Sequence, residues 1–466
     1  MSRILLTFNL LFWVAVAQAQ QLNMSLEEAK TYALEHAYAV QYAAMDVRVA
    51  EREIKEIRAI GLPQVQASVD YNNYIDIPTQ VAPADAFGFP SYITDFLVGV
   101  AQETGVNLNA PAADPNGISE FQFGAAQTST AGISVSQLIF DGSYIVGLQA
   151  SKTYAEAKKG ALDQSVMQMK ASVAEAYHTV LIARENLRLL QASREVLAAS
   201  LAETKELLIN GFVEEQDADQ LQLTLADLDA RISYAEQQSS IALDMLKFQI
   251  GLPMTADLEL SDNIESLSGK SSEDPLASPF SLQNNLDYKV QSTFVKISEL
   301  SMKNEKAKAL PSIGAFYNYQ RNAQRDQFNF FDFDQKWYPI QLWGVQMNIL
   351  IFTGLGRHHS IEKAKIEQER SELRLEQVAA AAELEYAAAR SEYLNAMRNE
   401  EIQKGNLDLA DRIYAKTQIK YREGIVGSFD LTQAQNQWLT AQGNAVAATL
   451  QLLNAKTRLN KALSKL

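Results

Sequence analysis

Asp217 and Asp430 are the residues whose type and placing most invite chemistry. Each follows a glycine turn at a matching position, Asn210-Gly211-Phe212-Val213 in one case and Glu423-Gly424-Ile425-Val426 in the other. Carboxylates gathered by rotational symmetry make a ring of like charge, which favours cations and couples its own titration. An aspartate shortly after a glycine turn is also well placed to cap the returning helix, and the two roles are compatible. The other candidates fall away. The histidines are His36, His178, His358 and His359; the adjacent pair points to different faces of a helix, so no metal centre is expected. Gly269-Lys270-Ser271 ends like a phosphate loop, but Ile264 stands where the first glycine is required. Gly354-Leu355-Gly356 lacks a third glycine and reads as a strand-to-helix bend. The carboxylates Glu367, Glu369, Glu372 and Glu376 follow a solvated helix face. No nucleophile stands with a base, so neither catalysis nor a cofactor is expected.

The elements that must position the aspartates are long. From Ser143 to Asn210 there is no proline, and after Gly147 the only glycine is Gly160. At about 1.5 Å per residue such a helix runs roughly 100 Å, the reach of a rod and not of a single globular core. Val166, Met169, Val173, Tyr177, Val180, Leu187, Leu190, Leu197, Leu201 and Leu208 are spaced by three, four or seven, a coiled-coil seam. A second long run leads to Gly251. Proline is absent between Pro115 and Pro253 and after Pro339, so both spans can hold long helix pairs.

Composition sets the compartment. Arg3, the mostly apolar run Ile4 to Ala17 and the small residues of Ala17-Gln18-Ala19 read as a secretory leader over residues 1–19. The chain has no cysteine, so an exported protein of this sequence is stabilised by packing alone. Its net charge of −15 speaks against nucleic acid or an anionic membrane surface as partner. No later segment approaches 18 consecutive apolar residues, which leaves strands as the only means of membrane insertion.

The chain is duplicated. Ala59-Ile60-Gly61-Leu62-Pro63-Gln64-Val65 matches Ala307-Lys308-Ala309-Leu310-Pro311-Ser312-Ile313, and Leu138-Ile139-Phe140-Asp141-Gly142 matches Leu350-Ile351-Phe352-Thr353-Gly354. The glycine turns match in the same order. The first repeat is expected over 20–253 and the second over 286–466, joined by a linker over 254–285. Each reads as helix, Leu-Pro, two strands, Phe-x-Gly, then a long helix pair. The extra residues of the first repeat fall near Pro78 to Pro115 and read as a surface loop. Ser25-Leu26-Glu27-Glu28 fits a capping box for the first helix.

Four segments alternate with period two. Val65, Ala67, Val69 and Tyr71 share one face, and Gln64, Gln66, Ser68 and Asp70 the other; the patterns around Ile133, Tyr317 and Val345 are similar, though Phe316 interrupts a polar side. Aromatics such as Tyr71, Tyr74, Phe328, Phe331, Trp337 and Trp343 gather at strand ends, as in the girdles of outer-membrane barrels. Four strands cannot close a barrel, and an open edge is forbidden in lipid. Several copies must therefore join, and three would supply twelve strands.

Taken together, the duplicated Leu-Pro and Phe-x-Gly marks and the two glycine turns, above all Tyr421-Arg422-Glu423-Gly424-Ile425-Val426-Gly427-Ser428-Phe429-Asp430-Leu431, resemble the TolC-like outer-membrane efflux proteins. The resemblance extends from Ser25 to Leu463. It implies a mainly α fold with a transmembrane β part: a homotrimer with a twelve-stranded barrel in outer-membrane lipid and a helical cylinder in the periplasm. It also implies a passive export channel that docks a periplasmic adaptor, and through it an inner-membrane transporter. The docking tips would be Gly211, Phe212, Val213, Gly424, Ile425 and Val426. The aperture would carry Asp217, Asp430 and Tyr421, the last at the place of a gating tyrosine. Val426 and Gln433 stand where the best-known members can carry a gating arginine and a second aspartate, and Arg422 is the candidate substitute for that arginine. The competing architecture is a trimeric coiled-coil adhesin on the cell surface, which the internal repeat and the amphipathic strands disfavour.

Overall fold

The structure, a computed structural model, describes residues 22–83, 91–106, 118–122, 124–264, 267, 275–332 and 334–466. The leader expected over 1–19 and the Gly269-Lys270-Ser271 stretch lie outside them. In chain order the elements are β1 (Leu22–Met24), α1 (Leu26–His36), α2 (Tyr38–Ile60), β2 (Gln64–Asn73), β3 (Thr79–Pro83), α3 (Ser91–Thr104), β4 (Ile118–Gln122), β5 (Gln127–Phe140), α4 (Gly142–Ile209), α5 (Glu215–Ile250), β6 (Leu258–Leu260), α6 (Leu286–Ala307), β7 (Ser312–Arg325), β8 (Tyr338–Asn348), α7 (Gly356–Arg422) and α8 (Ser428–Ala462). They divide into a helical unit, residues 1–55, 146–306 and 354–466, and a sheet unit, residues 56–145 and 307–353.

In the helical unit the seam on α4 is dry. Met169, Val173, Tyr177, Val180, Leu197 and Leu201 are buried, and Val166, Leu187, Leu190 and Leu208 are half-buried. One core joins the first part of this seam to Ala29 and Ala33 of α1, Leu246 and Ile250 of α5, and Leu258 of β6. The Tyr177 hydroxyl lies 3.0 Å from Met24 O and 3.1 Å from Asp262 Oδ2. The same carboxylate oxygen accepts from Leu26 N at 2.8 Å. The segment expected as a plain linker thus supplies β6, which pairs in parallel with β1, and a carboxylate that anchors α1. The capping box at α1 is present: Glu28 N donates to Ser25 Oγ at 3.4 Å, and Ser25 N to Glu28 Oε2 at 2.7 Å. His178 is buried between α4 and α8, with its Nδ1 3.1 Å from Asn454 Oδ1. Desolvation lowers its pKa to about 4, which keeps it neutral.

Helix α5 stops at Gly251, in the left-handed region at φ +77. Gly251 N donates to Phe248 O and Leu252 N to Lys247 O, a Schellman closure. A Cβ here would lie 2.2 Å from His36 O, at the junction of α1 and α2. The matching position in the second repeat, beyond α8, is Ser464, also left-handed at φ 56.

The sheet unit is built on one antiparallel sheet in the order β2-β5-β7-β8. Register sorts the side chains as the sequence pattern predicts. Gln64, Gln66 and Asp70 of β2 face Ser136, Ser134 and Thr130 of β5. These in turn face Phe316, Asn318 and Asn322 of β7. The opposite face carries Val65, Val69, Val135, Ile133, Tyr317 and Trp343. Phe316, an apolar member of the polar face together with Ile340 and Leu342 of β8, pairs with Gly344. Its ring fills the space a Cβ there would need, 2.8 Å away. The repeat marks also meet. A Cβ on Gly142, in the first Phe-x-Gly, would come 2.6 Å from Leu310 of the second Leu-Pro.

The stretch from Pro78 to Pro115 differs from the loop expected. Where described, it holds β3, which pairs with β4, and the helix α3. Tyr92, Phe96 and Val100 sit four residues apart along α3, a helical stripe that the flanking glycines and prolines hide from a window average. Gly251→Ala is expected to lower stability by about 1–3 kcal/mol, from left-handed strain plus the clash with His36. Thermal unfolding followed by circular dichroism checks this, and Ser464→Gly, which relieves left-handed strain, should not lower the transition.

Candidate functional site at the helical turns

The two turns that carry the candidate residues are built alike. Gly211 sits at φ +77 and Gly424 at φ +71. Gly211 N donates to Leu208 O and Phe212 N to Leu207 O; Gly424 N donates to Tyr421 O and Ile425 N to Lys420 O. Both are Schellman motifs, in which a left-handed glycine lets the last carbonyls of a long helix find donors. Phe212 and Ile425 then point outward, 78% and 70% exposed. Val213 and Val426 are half-buried, and Val426 packs against a core that draws on all four long helices: Leu197 and Leu201 of α4, Leu221 and Leu228 of α5, Tyr414 and Tyr421 of α7, and Leu431 of α8.

Asp217 and Asp430 both stand in the first turn of a returning helix, where the helix dipole favours a carboxylate. Their partners differ. Asp217 accepts from Glu214 N at 3.3 Å, closing its own helix start. Its other oxygen accepts from Ser428 N at 3.2 Å, at the first residue of α8. One carboxylate therefore ties the starts of α5 and α8 together. The Ser428 hydroxyl, then the backbone N–H groups of Ser428 and Glu214, hold its pKa below the ordinary carboxylate value. Asp430 is exposed, and no ion pair to it forms among the described residues.

Tyr421 is buried, and its hydroxyl lies 2.7 Å from Thr204 Oγ1 on α4. Burial pushes its phenol above the ordinary value. Beside it Arg422 Nε approaches Glu203 Oε2 at 3.9 Å, with both side chains more than half exposed. Such a pair is screened by solvent and contributes little. The structure thus joins Asp217 to Ser428, Tyr421 to Thr204 and Arg422 to Glu203, all within one chain, and leaves Asp430 apart. Sequence reasoning missed Thr204 and Ser428. Thr204 is buried within the turn-proximal end of the α4 seam, so a hydroxyl in an apolar register was the available signal.

Above the turns, a groove of about 580 Å³ is lined by Gln220, Gln403, Asn406, Gln433, Asn436 and Asn444, among others, and by no charged side chain. Gln433 is thus one amide in a neutral polar surface. Among the described residues no group of three His, Cys, Asp or Glu could hold a metal ion, and no helix is long and apolar enough to cross a membrane.

Residues 281–465 match the outer membrane efflux protein family. The fold is shared along nearly the whole chain with solved outer-membrane channels. The Neisseria gonorrhoeae MtrE outer membrane channel, solved in its open state, is 17% identical, with 97% of this chain and 93% of that one covered at a TM-score of 0.69. The Campylobacter jejuni CmeC outer membrane channel is 15% identical over 97% and 90%, at 0.67. The Vibrio cholerae outer membrane protein VceC is 13% identical over 94% and 95%, at 0.66. No curated protein matches the sequence. Over residues 281–465 the chain is thus similar to outer membrane efflux proteins, and along nearly its whole length it has the fold of outer-membrane channels.

The depressed pKa of Asp217 fixes the direction of a pH effect. A carboxylate whose folded pKa lies below its unfolded value of 3.8 stabilises the fold fully above that value. The contribution is lost as pH falls through the folded pKa. Amide protection factors at Glu214 and Ser428 should therefore drop below about pH 4, and Asp217→Ala should lower them at neutral pH by about 1 kcal/mol of opening free energy.

Proposed function

We propose that three copies of this chain form a passive export conduit that crosses the outer membrane and extends into the periplasm, as one component of a tripartite efflux or secretion system. The observation that carries the reading is the amphipathic four-stranded sheet whose edge strands, β2 and β8, have no outer partner among the described residues. An unpaired row of N–H and C=O groups is not tolerated in hydrocarbon. Edge-to-edge joining of three sheets removes every edge and gives twelve strands, enough to enclose water. Val65, Val69, Trp343, Val345 and Met347, all exposed in the single chain, then meet lipid, and the amide and hydroxyl face meets the bore. On α7, Ile402, Leu409 and Ile413 are exposed at spacings of seven and four, an apolar stripe suited to a neighbouring copy.

In this assembly the glycine turns are the tips. Gly211, Phe212, Val213, Gly424, Ile425 and Val426 dock a periplasmic adaptor, which connects the conduit to an energised inner-membrane transporter. The exposed Phe212 and Ile425 side chains are the apolar anchors. Asp430, exposed and repeated three times, is the cation-attracting ring of the aperture; Asp217 and Tyr421 hold the turns that surround it, with Arg422 at the rim.

The trimer should need detergent and should give discrete single-channel conductance in a planar bilayer. Absence of conductance from a folded trimer would refute the conduit. Asp430→Ala should reduce cation preference and block by multivalent cations, read as reversal potential and block constant. Adaptor crosslinks should map to residues 211–215 and 424–428, and crosslinks confined to 254–285 would overturn the docking assignment.

A further inference from the structure

From Ala59 to Ser151 the sequence contains no lysine, arginine or histidine, but eight carboxylates. That span supplies β2 and β5, half of the sheet. On the polar face of the sheet, Asp70 is the only aspartate, glutamate, lysine, arginine or histidine. It is exposed, and its row continues through Thr130 to Asn322, where Asn322 Nδ2 donates to Thr130 Oγ1 at 2.9 Å. The nearest candidate counter-charges are on β7, in the register that faces the other way. Arg321 falls in the row of Ala131 and Val69. Arg325 is buried, its Nη1 bonded to Asn329 and its guanidinium against the rings of Phe330 and Trp337. Neither cation shares a face with Asp70.

We infer that Asp70 is a second selectivity residue of the conduit, one that favours cations within the barrel and acts independently of the aspartates at the helical turns. The inference rests on the trimeric conduit reading, which repeats Asp70 three times around the bore. Twelve strands about 4.8 Å apart, tilted by about 40°, give a backbone radius of about 12 Å. Inward-pointing carboxylates then stand roughly 16 Å apart. That exceeds the Debye length of about 8 Å at physiological salt, but lies inside the roughly 30 Å at 0.01 M. The ring therefore acts on permeating ions at low salt and is screened at high salt.

The test is reversal potential across a KCl gradient with the trimer in a planar bilayer, comparing wild type, Asp70→Asn, Asp70→Lys and Asp430→Ala. At about 10 mM salt the potassium-to-chloride permeability ratio should fall about twofold in Asp70→Asn and further in Asp70→Lys, and both differences should fade near 1 M. Single-channel conductance at 1 M should be unchanged in Asp70→Asn, which separates lost charge from a distorted barrel. If both Asp70 variants keep the wild-type reversal potential at low salt while Asp430→Ala shifts it, the inference fails and the conduit stands. A wild-type trimer that does not conduct would sink both.

Discussion

An unpaired strand edge governs this molecule. Among the described residues, the sheet β2-β5-β7-β8 pairs its strands internally except along the outer sides of β2 and β8. It also presents one apolar face and one that is mainly polar across β2, β5 and β7, which suits it to a boundary between lipid and water. Water would hydrate the edges but not the exposed valines and aromatics. Lipid would accept the apolar face but not the edges. In the assembly we propose, identical sheets complete one another and both demands are met together. In the helical unit α4 and α5 bury a seam within the chain, while α5 also leaves Leu223, Ile241 and Met245 exposed and α7 leaves Ile402, Leu409 and Ile413 exposed.

The duplicated turns show how a repeat diverges while keeping its frame. Both long helices end in the same hydrogen-bond pattern around a left-handed glycine, and both return helices place aspartate in the first turn. In the first repeat that carboxylate is spent on tying α5 to α8. In the second it is open to solvent. Chain geometry therefore gives the two carboxylates different surroundings at positions that the sequence alone makes equivalent.

Much of this was legible beforehand because it follows from periodicity. The α4 seam, the polar and apolar faces of the strands, the capping box at Ser25 and the glycine turns are local patterns, and local patterns survive folding. What was hidden depends on partners distant in sequence. Thr204 and Ser428 matter only because α7 and α5 bring Tyr421 and Asp217 to them. Asp262 anchors α1 from a segment that composition marks as connector. Helix α3 was obscured by its neighbours, since glycine and proline on both sides dilute a short apolar stripe. Phe316 looked like an error in an alternating strand until register set it over Gly344.

Gly251 and Ser464 close matching helices with the same backbone hand, and a Cβ on Gly251 would run into the His36 carbonyl. At Gly251 the left-handed backbone and the His36 carbonyl both act against a side chain. At Ser464 a small polar side chain occupies the same left-handed backbone. One helix closure is thus reached in the two repeats with and without a side chain.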